Sequence, residues 1–279
     1  MNLICPICFT QYSQKVSHIT DTGQNRDALI CPHCEHGWIE NPASHGELEQ
    51  IYGDLERWPA TPPSKSLKFQ MLGKELERLC PTKSKILDVG CGNGDFLFNL
   101  SEGWERFGIE LGKNRAQMAT KRARADVRAD LIENVDFPNN YFDCITMFAL
   151  IEHLLQPSQV LNKIHDLLKP GGIILVMTGD RTSKKALREK SDWYLYAPIE
   201  HFHFFSRESL KKILNDTGFD VLKVDWRFSF GYRTNYPIVK QIDRAMTLCF
   251  QGLCEVVPSF RKLNFGDTIY ITARKNDAT

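Results

Sequence analysis

The chain has 279 residues, 35 basic against 34 acidic side chains, a formal net charge of +1 and 42% hydrophobic residues. That length carries one large domain, or a full-size domain with a small appendage, and the composition is that of a globular protein with a sizeable core. A charge this near zero supplies no bulk field for nucleic acid or for an anionic membrane surface.

The most apolar runs, such as 145–151, are far short of a bilayer span, and no charged start leads into an apolar segment. A cytoplasmic protein is the expectation. Nine cysteines, an odd number, make a poor disulfide framework and fit a reducing compartment in which some of them hold metal.

Cys5-Pro-Ile-Cys8 and Cys31-Pro-His-Cys34 form two CxxC knuckles near the N-terminus. Four thiolates so spaced suit one tetrahedral Zn²⁺, with a hairpin joining the knuckles. A redox role is the rival, although a redox pair needs one reactive couple at a helix N-terminus and not two matched knuckles. So short a piece buries little, so the metal would supply most of its folding energy; four sulfurs close the coordination sphere, which makes the site structural. His33 and His36 stand nearby and read as surface residues.

Residues 41–66 shift to Pro, Ser and Gly, with Pro42, Pro59, Pro62 and Pro63. They read as a linker with a short helical piece at 47–57, separating a zinc ribbon at 1–40 from a second domain at 67–279. Apolar residues at 67, 69, 71, 72, 76 and 79 predict an amphipathic helix over 67–80.

Residues 85–96 read KILDVGCGNGDF. A strand is broken by Asp88 and runs into glycines at 90, 92 and 94, a turn that lets a ligand lie against bare main chain, with a helix over 94–100 presenting N–H groups to it. A phosphate loop would need Lys and Ser or Thr after the last glycine, and a dinucleotide loop would need GxGxxG where this chain has GxGxG. Asp88 would repel a pyrophosphate but suits a ligand carrying positive charge.

A second strand over 104–111 ends in Glu110, placed where an acid at the end of the second strand of a βαβ unit reaches a ribose diol. A helix at 113–121 and a short strand at 125–128 follow. The next strand, 141–147, runs into FALIEHL at 148–154, which leaves Glu152 and His153 just past the carboxyl end of a central strand, where open α/β sheets put ligands. A helix at 158–168 and an apolar strand at 173–177 come next. Residues 180–198 are polar and irregular, with Trp193, Tyr194 and Tyr196; then IEHFHFF at 199–205 leads to Ser206, an N-cap, and a helix closing at Gly218. The two histidines of that stretch, His201 and His203, are either core packing or a substrate wall. Strands at 219–228 and 266–275 are interrupted by a helical pattern over 238–257, which either covers the core or makes a homodimer or acceptor contact.

From Lys85 onward, KILDVGCGNG, Glu110, FALIEHL and Lys169-Pro-Gly-Gly172 resemble the class I S-adenosylmethionine-dependent methyltransferases. The resemblance implies an α/β fold: a seven-stranded, mostly parallel, Rossmann-like sheet with helices on both faces, here with an N-terminal zinc ribbon. It implies that Asp88, Gly90, Gly92 and Gly94 cradle the cofactor, that Glu110 takes the ribose, and that Asp130 with Leu131 takes the adenine. Asp130 stands one residue further from Phe137-Pro138 than the pattern has it, with Asp126 as fallback. The histidine-aromatic stretch before Ser206-Arg-Glu-Ser-Leu210 resembles the branch found among sugar, polysaccharide and natural-product tailoring enzymes, where a four-cysteine module recurs.

The reading is a methyltransferase that acts on a small or carrier-linked acceptor, O-methylating a sugar or tailoring-pathway intermediate. A region at 180–205 serves as lid and acceptor wall, an insertion lies at 236–258, and His153 or His201 is the general base. An RNA methyltransferase is the runner-up, which the charge does not support. A docking protein that binds cofactor without turnover is the non-enzymatic alternative.

Overall fold

The computed structural model describes residues 4–11, 14–21, 24–40, 42, 62–190, 193–196, 200–227 and 266–276. The helical piece at 47–57, nearly all of the linker, and the 238–257 helix with its homodimer contact lie outside the described residues.

Seven strands form the main sheet: β4 (Lys85–Val89), β5 (Glu105–Ile109), β6 (Asp126–Arg128), β7 (Phe142–Phe148), β8 (Leu168–Gly179), β10 (Phe219–Arg227) and β11 (Thr268–Lys275). Their spatial order is β10-β11-β8-β7-β4-β5-β6. The run from β8 to β6 is parallel, and β11 lies antiparallel between β8 and β10. The central strands are apolar on both faces because helices cover both, and β7 is buried from Phe142 to Met147. Pairing between β7 and β8 slips from Phe142↔Leu168 to Cys144↔Ile173, so Lys169-Pro-Gly-Gly172 bulges out, with Gly171 at φ 69.

Six α-helices occur among the described residues. α1 (Leu67–Glu77) starts at the Ser66 N-cap and buries Leu72 and Leu76, ending three residues short of the predicted 67–80. α3 (Lys113–Ala123) and α4 (Pro157–Leu167) follow their predicted positions, and α6 (Arg207–Asp216) carries a capping box between Ser206 and Ser209. α2 (Asp95–Phe98) is only four residues, shorter than the helix predicted over 94–100. The stretch predicted as irregular from 180 to 198 contains α5 (Lys184–Glu189), which starts at the Ser183 N-cap. The end of the linker is anchored to the domain: Ser66 N donates to Asn99 Oδ1 at 2.7 Å, and Asn99 Nδ2 donates to Ser64 O at 2.8 Å.

The N-terminal residues form the hairpin expected between the knuckles, β1 (Gln14–Asp21) with β2 (Gln24–Ile30), followed by β3 (Gly37–Ile39). A fourth strand completes this sheet, and it comes from the far end of the chain. β9 (His203–Phe204) pairs antiparallel with β3 through Gly37↔Phe204 and Trp38↔His203. Ser206 Oγ donates to Cys34 O at 2.8 Å, Arg181 Nη1 donates to Glu35 O at 2.6 Å, and Ile39 N donates to Phe202 O at 3.0 Å. Cys5, Leu29 and Trp38 share one apolar core with Phe205, Leu210 and the strands of the main sheet. His36, expected at the surface, is fully buried, its Nε2 3.0 Å from His203 Nδ1. Burial holds both imidazoles below their ordinary pKa, and one donates to the other in the neutral state. The histidine-aromatic stretch is therefore a docking edge for the cysteine module at His203 and Phe204 and not a free wall.

Candidate cofactor cradle and acceptor cluster

At the carboxyl end of β4 the chain turns through Gly90, Gly92 and Gly94, all with positive φ (73, 56 and 81). Two of these glycines serve different ends. A Cβ on Gly94 would lie 2.8 Å from Ala119 Cβ and 2.9 Å from its Cα, so a bare backbone is required for α2 to pack on α3. A Cβ on Gly92 would meet nothing within 4 Å, which leaves open space over the loop where a ligand can lie on main chain.

Glu110 follows β5 directly and is 4% exposed. Its Oε2 accepts from Gly92 N at 2.9 Å; its Oε1 accepts from Gly112 N at 2.9 Å and from Arg115 Nη2. One carboxylate thus ties the glycine turn, the β5 end and α3 together, and a charged acceptor fixes that geometry more firmly than a neutral one. Asp88, buried in β4, accepts from Thr146 Oγ1 at 2.7 Å. Burial pushes its carboxyl up to about 7, against the opposing pull of that hydrogen bond, and the charge of Glu110 pushes the same way.

Asp130 lies two residues past β6, exposed, with its Oδ1 accepting from Leu131 N at 2.7 Å and Asn134 Nδ2 at 2.9 Å. The Asn134 side chain and then the Leu131 amide hold its carboxyl below the usual carboxylate range. Leu131 is 43% exposed. Arg128 O accepts from Glu110 N at 3.0 Å, so the β6 end and this loop adjoin Glu110. Asp126 is the first residue of β6, at the end of the strand away from the glycine turn.

Past β7, Ile151–His153 form a single 3-10 turn. Leu150 packs against the glycine turn, its Cδ1 3.1 Å from where a Cβ on Gly90 would sit. Glu152 is 4% exposed and its Oε2 has no hydrogen-bond partner among the described residues, while its main-chain oxygen accepts from Phe202 N at 2.8 Å. The rings of His153 and His201 meet edge to face, 4.5 Å between centroids. His201 Nδ1 is 2.6 Å from Leu195 O; a carbonyl only accepts, so Nδ1 carries the proton and Nε2 keeps its lone pair. Burial pushes the Glu152 carboxyl up to about 7 and, with the His201 charge, the His153 imidazole down to about 3; burial also lowers His201. The two predicted bases are thus brought together, with Glu152 beside them. Tyr194 and Tyr196 instead pack on Trp193, and burial raises the Tyr194 phenol beyond its ordinary range.

In the cysteine module, Cys5 Sγ and Cys34 Sγ are 3.6 Å apart, and Cys8 Sγ and Cys31 Sγ 3.4 Å; all four sulfurs lie within 4.8 Å of one another. A tetrahedral site with bonds of about 2.3 Å separates its sulfurs by roughly 3.8 Å. The knuckles match in backbone as well: Phe9 N donates to Cys5 O and Glu35 N to Cys31 O, each at 3.0 Å, and Phe9 and Glu35 take left-handed φ of 58 and 56. The donor set and its spacing fit a zinc ion.

Sequence reasoning missed the pairing of β9 with β3. Its only sequence signal was the alternation of His203 and Phe204 among aromatics, and two residues are too short for a periodicity argument.

The profile of the methyltransferase-domain family matches residues 66–224. A demethylmenaquinone methyltransferase from Staphylococcus saprophyticus is 25% identical over 168 residues, which cover 50% of this chain and 72% of that protein. A ubiquinone biosynthesis O-methyltransferase from Pectobacterium atrosepticum is 30% identical over 107 residues, 36% of this chain and 44% of its own length. Among solved structures, phosphoethanolamine N-methyltransferase 2 of Haemonchus contortus in complex with S-adenosyl-L-methionine superposes with a TM-score of 0.52 at 20% identity, over 83% of this chain and 56% of that one. That likeness concerns the fold. Among the described residues no helix is long and apolar enough to cross a membrane. A family match over more than half of the chain, on a glycine turn, an acid after the second strand of the sheet and this strand order, identifies it: the chain belongs to the methyltransferase-domain family and is an S-adenosylmethionine-dependent methyltransferase.

Proposed function

We propose that this enzyme methylates a hydroxyl of a small or carrier-linked acceptor, such as a sugar or tailoring-pathway intermediate. The observation that carries the reading is the Glu152, His153 and His201 cluster at the carboxyl end of β7, where Glu152 stands two residues beyond the Leu150 contact with the glycine turn. S-adenosylmethionine, when bound, supplies an activated methyl on a neutral leaving group, so the work left to the protein is positioning and removal of one proton. Gly92 offers bare main chain, Glu110 offers its carboxylate to the ribose, Asp88 offers negative charge, and Asp130 with Leu131 flanks the adenine. His201 Nε2 takes the acceptor proton, its ring held by Leu195 O. His201→Ala is expected to lower turnover by roughly 10²–10⁴-fold with cofactor affinity nearly unchanged. Equal losses in affinity and turnover would make it a packing residue.

Asp88 makes the cofactor site pH-sensitive. Because its folded pKa is raised to about 7, the folded chain without ligand holds this proton better than the unfolded chain does. The stabilising contribution is full below the ordinary aspartate value and is lost as pH rises toward 7. A cationic ligand favours the ionised form, so S-adenosylmethionine should bind more tightly as pH rises from about 5.5 to 8. Calorimetry across that range should show the rise in the wild type and a flat profile in Asp88→Asn.

Zinc at Cys5, Cys8, Cys31 and Cys34 completes the reading, and metal analysis of the purified protein should find one ion per chain at this site. The acceptor is tested with methyl-labelled cofactor against sugars, sugar nucleotides, quinols and total cellular RNA. An O-methylated small molecule is the expected product. Label on carbon or nitrogen would overturn the hydroxyl assignment, and label confined to RNA, with binding that weakens steeply in salt, would put the RNA reading in its place.

A further inference from the structure

Glu152, His153 and His201 are, with the four cysteines, one of two sets of side chains among the described residues whose ligand atoms converge, all lying within 4.8 Å of one another. Neighbouring donors around an ion with bonds of about 2.1 Å stand roughly 3.0–3.4 Å apart, so small side-chain rotations close the set. Three further observations concern what this cluster is built to hold. Glu152 Oε2 is buried without a hydrogen-bond partner among the described residues, a costly condition for a carboxylate oxygen unless something fills the place opposite it. His201 is oriented from behind: Nδ1–H donates to Leu195 O at 2.6 Å, the arrangement that directs a histidine Nε2 lone pair at a metal. Glu152 and His201 both line a small cavity of about 10 Å³, bordered also by Thr178, Trp193 and His203. That volume takes about one water-sized particle and no organic group.

We propose that Glu152, His153 and His201 bind a first-row divalent transition-metal ion, distinct from the ion of the cysteine module. Two imidazoles and one carboxylate select a transition ion such as Zn²⁺, Co²⁺ or Fe²⁺ over Mg²⁺ or Ca²⁺, which favour all-oxygen shells. Three protein ligands leave the coordination sphere open, unlike four thiolates. The binding stands apart from the acceptor assignment. Its consequence rests on the hydroxyl reading: with the ion in place His201 Nε2 is a ligand, and a metal-held hydroxide on the open position would take the acceptor's proton in its stead, becoming water.

The test is metal binding, measured without acceptor. Protein carrying one Zn²⁺ on its cysteines is titrated with Co²⁺ by calorimetry and absorption spectroscopy. The wild type should take one further equivalent, with ligand-field bands and no thiolate charge transfer. Glu152→Gln and His201→Ala should each weaken that equivalent at least tenfold while keeping the first zinc and the far-ultraviolet circular dichroism of the wild type. A wild type that takes no second ion, or a second ion unaffected by both variants, overturns the proposal; a variant that loses the fold is set aside for the other. Methyl transfer that fails on every hydroxyl acceptor while the second ion binds would remove the acceptor reading and leave the metal site standing.

Discussion

Chelating zinc from the cysteine module, or replacing Cys31 by Ser, is expected to unfold residues 4–39 and to lower methyl transfer by roughly 10²-fold, the scale of an ångström-level misplacement at a reacting centre. Structural zinc of this kind supplies on the order of 10–16 kcal/mol of apparent binding free energy, far more than so small a module gains from its own core. The loss does not stop at the module. β3 is the pairing partner of β9, and with it go the Ser206 bond to Cys34 O, the Arg181 bond to Glu35 O and the buried His36–His203 pair. His201 stands two residues before β9, and Phe202 joins them, with its main-chain N–H on Glu152 O and its carbonyl under Ile39 N. The Glu152, His153 and His201 cluster is thus held in part by the module. The seven-stranded sheet has its own helices on both faces and should survive. Thermal denaturation should therefore show an early transition in the metal-depleted protein, with the main transition retained and S-adenosylmethionine affinity changed little. Full turnover after complete zinc removal would separate the module from the chemistry.

Glu110→Ala is expected to weaken S-adenosylmethionine by at least tenfold, and more than Glu110→Gln does. Each hydrogen bond to a charged group is worth roughly 1.5–3 kcal/mol, and the alanine variant loses whatever the ribose makes with the carboxylate. It also strips the partner from Gly92 N, Gly112 N and Arg115, leaving two amides and a guanidinium unpaired in a site that is 4% exposed at its centre. The glycine turn then loses its tether to β5. Gln keeps one carbonyl acceptor and the same length, so it should retain part of the turn geometry while losing the charge. Calorimetry distinguishes the two effects, and unchanged affinity in the alanine variant would place the ribose elsewhere.

Much of the geometry of the candidate cofactor cradle was legible because it is local. The glycines that need positive φ, the strand ahead of them and the acid one βα unit later fall within twenty-six residues of one another, and backbone sterics act over just that range. The matched CxxC spacing was readable for the same reason: each knuckle is a turn closed by its own backbone, with Phe9 and Glu35 in equivalent left-handed positions. A mostly parallel sheet with helices on both faces was implied by the resemblance and agrees with the alternation of apolar strands and helices, whereas the order of the strands came from the structure.

What tertiary structure alone decided are the contacts between residues far apart in sequence. Nothing near His36 signals that it will be buried against His203, 167 positions away, because that pairing exists only once β3 meets β9. Nor does the spacing of Glu152, His153 and His201 reveal that their ligand atoms converge, since Phe202 must first hydrogen-bond to Glu152 O to bring the two segments together. A sequence read in order places a cysteine module and a catalytic domain side by side; an edge strand with unmet hydrogen bonds makes them share a sheet, because main-chain donors and acceptors left without partners in a buried interface cost more than the ordering of two residues.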